Sequence, residues 1–163
     1  MNVRSPAYRV LTSSDQNRDA ALQLARGARI SLALFTRDLE PAIYDNQDFV
    51  TAVQQLALRS RYSHIRILVI DPTAAIKDGH RLIELGRRLS SFIEFRRPTP
   101  EQIKRSDSFL IIDESGLLYR PMSDRYEGYA DPDYAFEART HLREFDAIWE
   151  QSESESEFRR LGL

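Results

Sequence analysis

Apolar and polar positions along this chain switch between a period of two and a period near 3.6, and the switches mark out the elements. Residues 8–11 form a short apolar-rich run that predicts an edge strand. Ser13, Ser14 and Asp15 supply capping side chains, and Ala21, Leu24, Ala25 and Ala28 then recur at helical spacing, predicting a helix over 15–26 that ends at Gly27. Residues 30–35 are almost free of polar side chains, the pattern of a central strand covered on both faces. The polar loop 36–41 follows. Asn46 or Asp45 caps a second helix with Phe49, Val53, Leu56 and Ala57 on its apolar face, running to about Arg59. Residues 64–70 repeat the buried-strand pattern and stop at Asp71-Pro72, where proline ends ladder pairing. A loop and a helix over 73–88 place Leu82, Leu85, Gly86 and Leu89 together, and a third strand covers 92–95.

The second half reads differently. Residues 108–112 and 117–120 are two strands joined by the turn Asp113-Glu114-Ser115-Gly116, a four-residue hairpin loop with its glycine last. A polar loop spans 123–133. Ala138, Leu142, Phe145 and Trp149 then place one apolar stripe on a closing helix. Strands alternating with helices predict an α/β domain over residues 1–150, and the hairpin makes its sheet mixed, with about five to seven strands and helices on both faces. The strands over 30–35 and 64–70 should be its buried centre. Residues 151–163 form an acidic tail, in which serine and glutamate alternate up to residue 157; that pattern predicts a solvated or frayed segment.

Composition narrows the function classes. With 163 residues, 42% hydrophobic and 29% charged, the chain fits one ordinary globular domain. There is no cysteine, so disulfides and thiolate metal sites are excluded, and the cytoplasm is the expected compartment. No apolar run has the length of a signal peptide or of a membrane span, so no membrane insertion is expected. The net charge of −2 hides an asymmetry: residues 1–112 hold 17 basic against 12 acidic residues, and residues 113–163 hold 6 against 13. Arginine makes up 21 of the 23 basic residues. Its planar fork suits phosphate or carboxylate, although solvated helix faces account for the same excess. A total so near neutrality does not favour a dedicated nucleic-acid binder.

The stretch 104–121, KRSDSFLIIDESGLLYRP, carries the sharpest signal. It resembles the site-bearing hairpin of phospholipase D-like domains. Those run His-x-Lys-x4-Asp along one strand and turn, followed by Gly-Ser-x-Asn near the end of the next strand. Set on Asp113, that spacing gives Ser106-x-Ser108-x4-Asp113, and the second motif falls on Arg120, Pro121, Met122 and Ser123. The aspartate is present, while histidine and lysine are both serine. The order of elements, together with a final helix bearing Phe145 and Trp149, is similar to one phospholipase D-like half over most of the chain. The resemblance is to the degenerate bacterial domains of this kind, some of them associated with acetyltransferases of the GNAT type. It implies a fold without the family's catalysis: a non-catalytic module that binds a protein partner or a phosphate-bearing ligand at a vestigial cleft. It also implies a two-fold pairing, as a homodimer or with a partner domain, through the face near residues 106–121.

Phospholipase D chemistry needs an imidazole nucleophile and a second imidazole as general acid. The chain has three histidines, His64, His80 and His141, and none is followed by lysine two residues on. Two roles are open to Asp113, a residue favoured in turns or a relic of the catalytic carboxylate. Arg96, Arg97, Lys104, Arg105 and Arg120 flank the hairpin and the strand beside it. They read either as a solvated surface or as an anion-binding set. No spacing of metal ligands is present, and no cofactor is implied. Two other functions remain as expectations: nucleic-acid binding by the basic first two-thirds, and an enzyme of altered phosphodiester chemistry pairing Asp113 with a histidine nearby in space.

Overall fold

The computed structural model describes residues 3–154. Strand β1 (Arg9–Leu11) leads into α1 (Ser14–Gly27), whose first turn is closed by Ser13: its side chain accepts from the Gln16 amide at 3.1 Å. β2 (Ser31–Thr36) is followed by the single turn α2 (Pro41–Tyr44) and by α3 (Gln47–Arg59). Asn46 caps α3 by accepting from the Phe49 amide at 2.8 Å. β3 (His64–Val69) leads into two short helices, α4 (Thr73–Asp78) and α5 (Arg81–Arg88), separated by Gly79 at φ +79°. β4 (Ile93–Arg97) precedes the hairpin β5 (Ser108–Ile112) and β6 (Gly116–Arg120). β7 (Gly128–Asp131), α6 (Ala135–Gln151) and the two-residue β8 (Glu153–Ser154) complete the described chain.

All eight strands form one sheet in the order β1-β7-β6-β5-β2-β3-β4-β8. β2, β3 and β4 run parallel, while β5 lies antiparallel to β2 and the remaining pairs are antiparallel. This is the mixed α/β sheet with helices on both faces that the pattern predicts. β2 and β3 lie adjacent in its interior. Side-chain alternation sends Leu34, Leu110 and Leu118 toward α1, α3 and α5, while Phe35, Phe109 and Leu117 pack with Phe145 and Trp149 of α6 on the other face. Among the described residues, no helix is long and apolar enough to cross a membrane.

Several expectations need correction. Among the described residues the sheet has eight strands, not five to seven, because the stretch read as a polar loop over 123–133 contains β7 and the stretch read as an acidic tail contributes β8. The composition of β7 hides the strand: Gly128 is required there by close approach, since a Cβ added to it would lie 2.2 Å from the Tyr119 carbonyl oxygen. Ile30 lies outside β2 and is 38% exposed. The hairpin loop is shorter than predicted. Gly116 pairs with Ile112, and the left-handed residues are Asp113 (φ 52°) and Glu114 (φ 60°), the pattern of a type I′ turn, with Ser115 N donating to Ile112 O. On α6, Leu142 is half-buried and His141 is the buried neighbour. Glu150 and Gln151 belong to α6, and Glu153 and Ser154 pair with Arg97 and Arg96 of β4. The rest of the acidic tail lies outside the described residues.

The apolar hairpin is enclosed within this chain. Phe109, Leu110, Ile111, Ile112, Leu117 and Leu118 are all buried, with α1 on one side and α6 on the other. Tyr119 alone of the residues that motivated a pairing face is half-exposed.

Candidate functional site

The carboxyl end of β2 and the start of β5 meet because the two strands are antiparallel neighbours. That junction gathers three of the four motif positions. Ser108 pairs with Arg120 across the hairpin, and Ser123 N donates to Ser106 O at 2.7 Å. Asp113 is not with them. It sits at the opposite end of β5, roughly 17 Å from Ser108 at the rise of an extended strand. Its carboxylate accepts from the backbone amides of Arg29 and Ile30, each at 2.8 Å, and of Ser31 at 3.0 Å. Asp113 therefore pins the hairpin turn to the entry of β2, and it makes no hydrogen bond to a histidine.

Beside Ser108, the space on the α1–α3 side is filled from within. Arg120 is fully buried, and its guanidinium grips Glu40 through two hydrogen bonds, Nη2 to Oε1 at 2.9 Å and Nη1 to Oε2. Nη2 also donates to Ser123 O at 2.6 Å. Tyr44 lies against the pair and is fully buried, and Arg120 also sits 5.8 Å from the Tyr126 ring. Burial raises the Glu40 carboxyl above its ordinary value, with Arg120 opposing; burial likewise raises the Tyr44 hydroxyl.

The loop that delivers Glu40 is fixed from a distance. Leu39 is fully buried at φ 64°, a left-handed conformation that is unfavourable for leucine. Its amide donates to Thr36 Oγ1 at 3.2 Å, and its carbonyl accepts from His80 Nε2 at 2.9 Å. His80 Nδ1 accepts from the Leu82 amide at 3.1 Å and so caps α5. Both bonds together require a neutral imidazole with its proton on Nε2. Burial lowers the His80 pKa, in agreement with that state.

On the α6 side of the same strand ends lies a second polar group. Arg105 binds Asp107 at 2.9 and 2.6 Å and also binds Glu144. Tyr119 Oη donates to Asp107 at 3.0 Å. His141 stacks on Tyr119 with ring centroids 4.4 Å apart, and its Nδ1 is buried without a protein partner. Burial opposes the Asp107 charge, but Arg105 and Tyr119 outweigh it and hold the carboxyl below the usual range. Burial lowers the His141 pKa.

Of the basic residues proposed for anions, Arg120 and Arg105 are thus already held by carboxylates. Arg96 donates to Glu94 at 2.7 Å and to Trp149 O at 2.9 Å, with its guanidinium 4.4 Å from the Trp149 ring. Lys104 and Arg97 are exposed. Among the described residues, no cluster of histidine and carboxylate side chains could hold a metal ion. Sequence reasoning missed Glu40, Tyr44, Asp107 and the polar role of Tyr119, and it weighed His141 only as a partner for Asp113. For Glu40 one signal was available: a polar loop leaving the carboxyl end of a central strand, where open α/β sheets form their crevices.

Residues 13–161 match the model of a family described as Domain of unknown function (DUF7931), and the chain belongs to that family. No curated protein matches it. Among solved structures, it is similar to Nuc from Salmonella typhimurium, a phospholipase D family member, at TM-score 0.62 and 15% identity, covering 93% of this chain and 99% of that one. It is also similar to NucT from Helicobacter pylori, at TM-score 0.58 and 13% identity, covering 91% and 98%. TrmBL2, an archaeal chromatin protein with a novel mode of DNA binding, superposes at TM-score 0.65 and 17% identity, covering 94% of this chain and 55% of that one. The fold is phospholipase D-like.

Proposed function

We propose that this DUF7931-family chain is a non-catalytic phospholipase D-like module that acts by binding a protein partner, without cleaving a phosphodiester. One observation carries the reading. Where the family's histidine and lysine would stand, Ser106 and Ser108 border a space that Glu40 and Arg120 already fill. Ser106 Oγ donates to Pro121 O, Ser108 lies beside the Glu40 carboxylate, and that carboxylate is already held by the Arg120 fork. A phosphate-bearing ligand would have to displace Glu40 from that fork.

The surface left above the closed site suits a partner. Met122 is 43% and Tyr126 40% exposed, and Lys104, Ser106 and Arg125 are exposed in the same stretch of chain. Methionine, tyrosine and arginine are the types enriched in interfaces. A second copy of the chain is the simplest such partner, because a two-fold contact uses one patch twice. DNA binding is the alternative, supported only by fold likeness to a chromatin protein, and its mark would be affinity falling steeply with salt.

Purified protein assayed with generic phosphodiesters should show no turnover. Hydrolysis that co-purifies with the chain and disappears in a Ser106→Ala/Ser108→Ala variant would overturn the reading. Light scattering over a concentration series decides the second copy: association that Met122→Glu abolishes supports it, and a strict monomer directs the search to a different protein.

A further inference from the structure

Under α6, at the end of the sheet away from Ser106 and Ser108, lies a cavity of about 150 Å³. Its origin is a change of side-chain size between two neighbouring rows of the sheet. Phe109, Phe35 and Leu68 stand in register across β5, β2 and β3 and fill the space beneath α6. Closer to the entry of β2, the corresponding row is Ile111, Ala33 and Arg66, with alanine at its centre. Alternation puts the next pair out, Ser31 and His64, on the same face. Leu142 of α6 borders the cavity from the other side, which is why it stays half-buried although it belongs to the apolar stripe of that helix.

The groups around this floor differ from those of an anion site. Arg66 is committed: its Nη1 donates to Asp146 Oδ1 at 2.8 Å, and its guanidinium stands 5.0 Å from the Phe145 ring and 5.6 Å from the Trp149 ring. Glu114 also lines the cavity, is exposed, and has no ion pair among the described residues. The surplus charge of the lining is therefore negative. The backbone fixes where it stands. Glu114 occupies φ 60° in the type I′ turn, a place that favours asparagine and glycine, and Asp113 ties the same turn to the amides of Arg29, Ile30 and Ser31. His64 Nδ1 lies 3.2 Å from the Tyr62 carbonyl, which only accepts, so the neutral ring keeps Nε2 as an acceptor. Glu114, His64 and Asp146 thus place three acceptors around a floor that is apolar at Ala33, Ile111 and Leu142.

An ammonium group carries three donors and no acceptor. An alkyl chain behind it matches the apolar floor, in the usual manner of small-ligand sites. A cavity of this volume admits a molecule of about six non-hydrogen atoms. A bare metal ion does not fit, because among the described residues no set of histidine and carboxylate groups could hold one. We propose that this cavity is a binding site for an alkylammonium group, that of a small free amine or of a lysine side chain. The inference goes beyond the closed serine end and does not depend on it: diester turnover by the native protein would leave it standing.

Amide NMR on the full chain tests it, with n-butylammonium as the probe and 1-butanol and butyrate as its neutral and anionic counterparts. Butylammonium should give saturable shifts at Ala33, Arg66 and Glu114, and the two counterparts should bind more weakly. Glu114→Gln, on an exposed turn, should weaken butylammonium about fivefold. Leu142→Phe, which fills the cavity from a half-buried position, should weaken both butylammonium and butanol. Nα-acetyl-lysine methylamide separates the two sources: shifts at the same amides assign the site to a lysine side chain, and binding confined to butylammonium assigns it to a free amine. The absence of saturable shifts at these residues overturns the proposal. So does butanol or butyrate binding as tightly as butylammonium, or a Glu114→Gln variant that keeps the native affinity.

Discussion

Asp107 and Ser108 leave the start of β5 in opposite directions and meet the same chemistry in different surroundings. On the α6 side, Asp107 pairs with Arg105, whose side chain is 25% exposed, and Arg105 reaches on to Glu144 at 41%. On the other side, Ser108 faces Arg120 and Glu40, exposed by only 1% and 12%. Both groups are an arginine fork on a carboxylate. In the first, water reaches the fork and shares the stabilisation of its charge. In the second, each charge depends on the other, because little solvent remains to replace a missing partner. The comparison shows why a count of arginines near the hairpin misjudges an anion site: what matters is which forks are enclosed with an internal carboxylate.

The largest effect should come from breaking the enclosed pair. Arg120→Ala leaves Glu40 buried beside Tyr44 and is expected to cost about 3–5 kcal/mol, measured by urea unfolding. A loss as small as that of an ordinary surface substitution would mean that the pair is hydrated in solution and the contrast false. Next comes Asp113→Ala at the far end of β5, which frees three backbone amides at the entry of β2. The expected loss is about 1–3 kcal/mol. Hydrogen exchange at Arg29, Ile30 and Ser31 should accelerate with it; unchanged exchange would remove the anchoring role.

Arg105→Ala sharpens the contrast from the other side. Tyr119 still donates to Asp107, but that carboxylate is only 10% exposed, so the loss should be about 1–3 kcal/mol, below that of Arg120→Ala. A cost equal to that of Arg120→Ala would erase the distinction between the two groups.

The smallest effect concerns protons. Burial holds His141 and His80 below the ordinary value near 6.5. As pH falls, the unfolded chain therefore binds protons before the folded one. The contribution of each group is complete above about pH 6.5 and declines below it, until the folded-state pKa is passed. His80 faces Asp45, Arg81 and Asp38, and His141 faces Glu144, Asp107, Arg105 and Glu137. NMR titration should place both ring midpoints below about 6.5. His141→Phe should flatten part of the stability slope between neutral and mildly acidic pH. A His141 midpoint above the ordinary value would show that its carboxylate neighbours outweigh burial.

Much of the fold was legible because burial is written locally. The run Leu32–Phe35 carries no polar side chain and Ile65–Ile70 only Arg66, the pattern of strands covered on both faces, so β2 and β3 had to lie inside the sheet. The helices announced themselves by capping residues and period, with Ser13 and Asn46 at their predicted places. β7 was illegible because its four residues include the glycine required by close contact with β6 and an aspartate, Asp131, that binds Ser5 at 126 positions' separation. Such residues look like loop until their partners are known.

By itself, the sequence determined the alternation of strands and helices, the hairpin, and the presence of serine at positions 106 and 108. These follow from residue identity and from periods that neighbouring residues share. Only the tertiary structure decided that Asp113 anchors backbone away from those serines, and that Glu40 closes on Arg120 across 80 positions of chain. A charge pair of that separation leaves no periodic trace, because it forms only where the antiparallel β5–β6 hairpin brings Arg120 to the carboxyl end of β2 and a left-handed Leu39, held by His80, turns Glu40 inward.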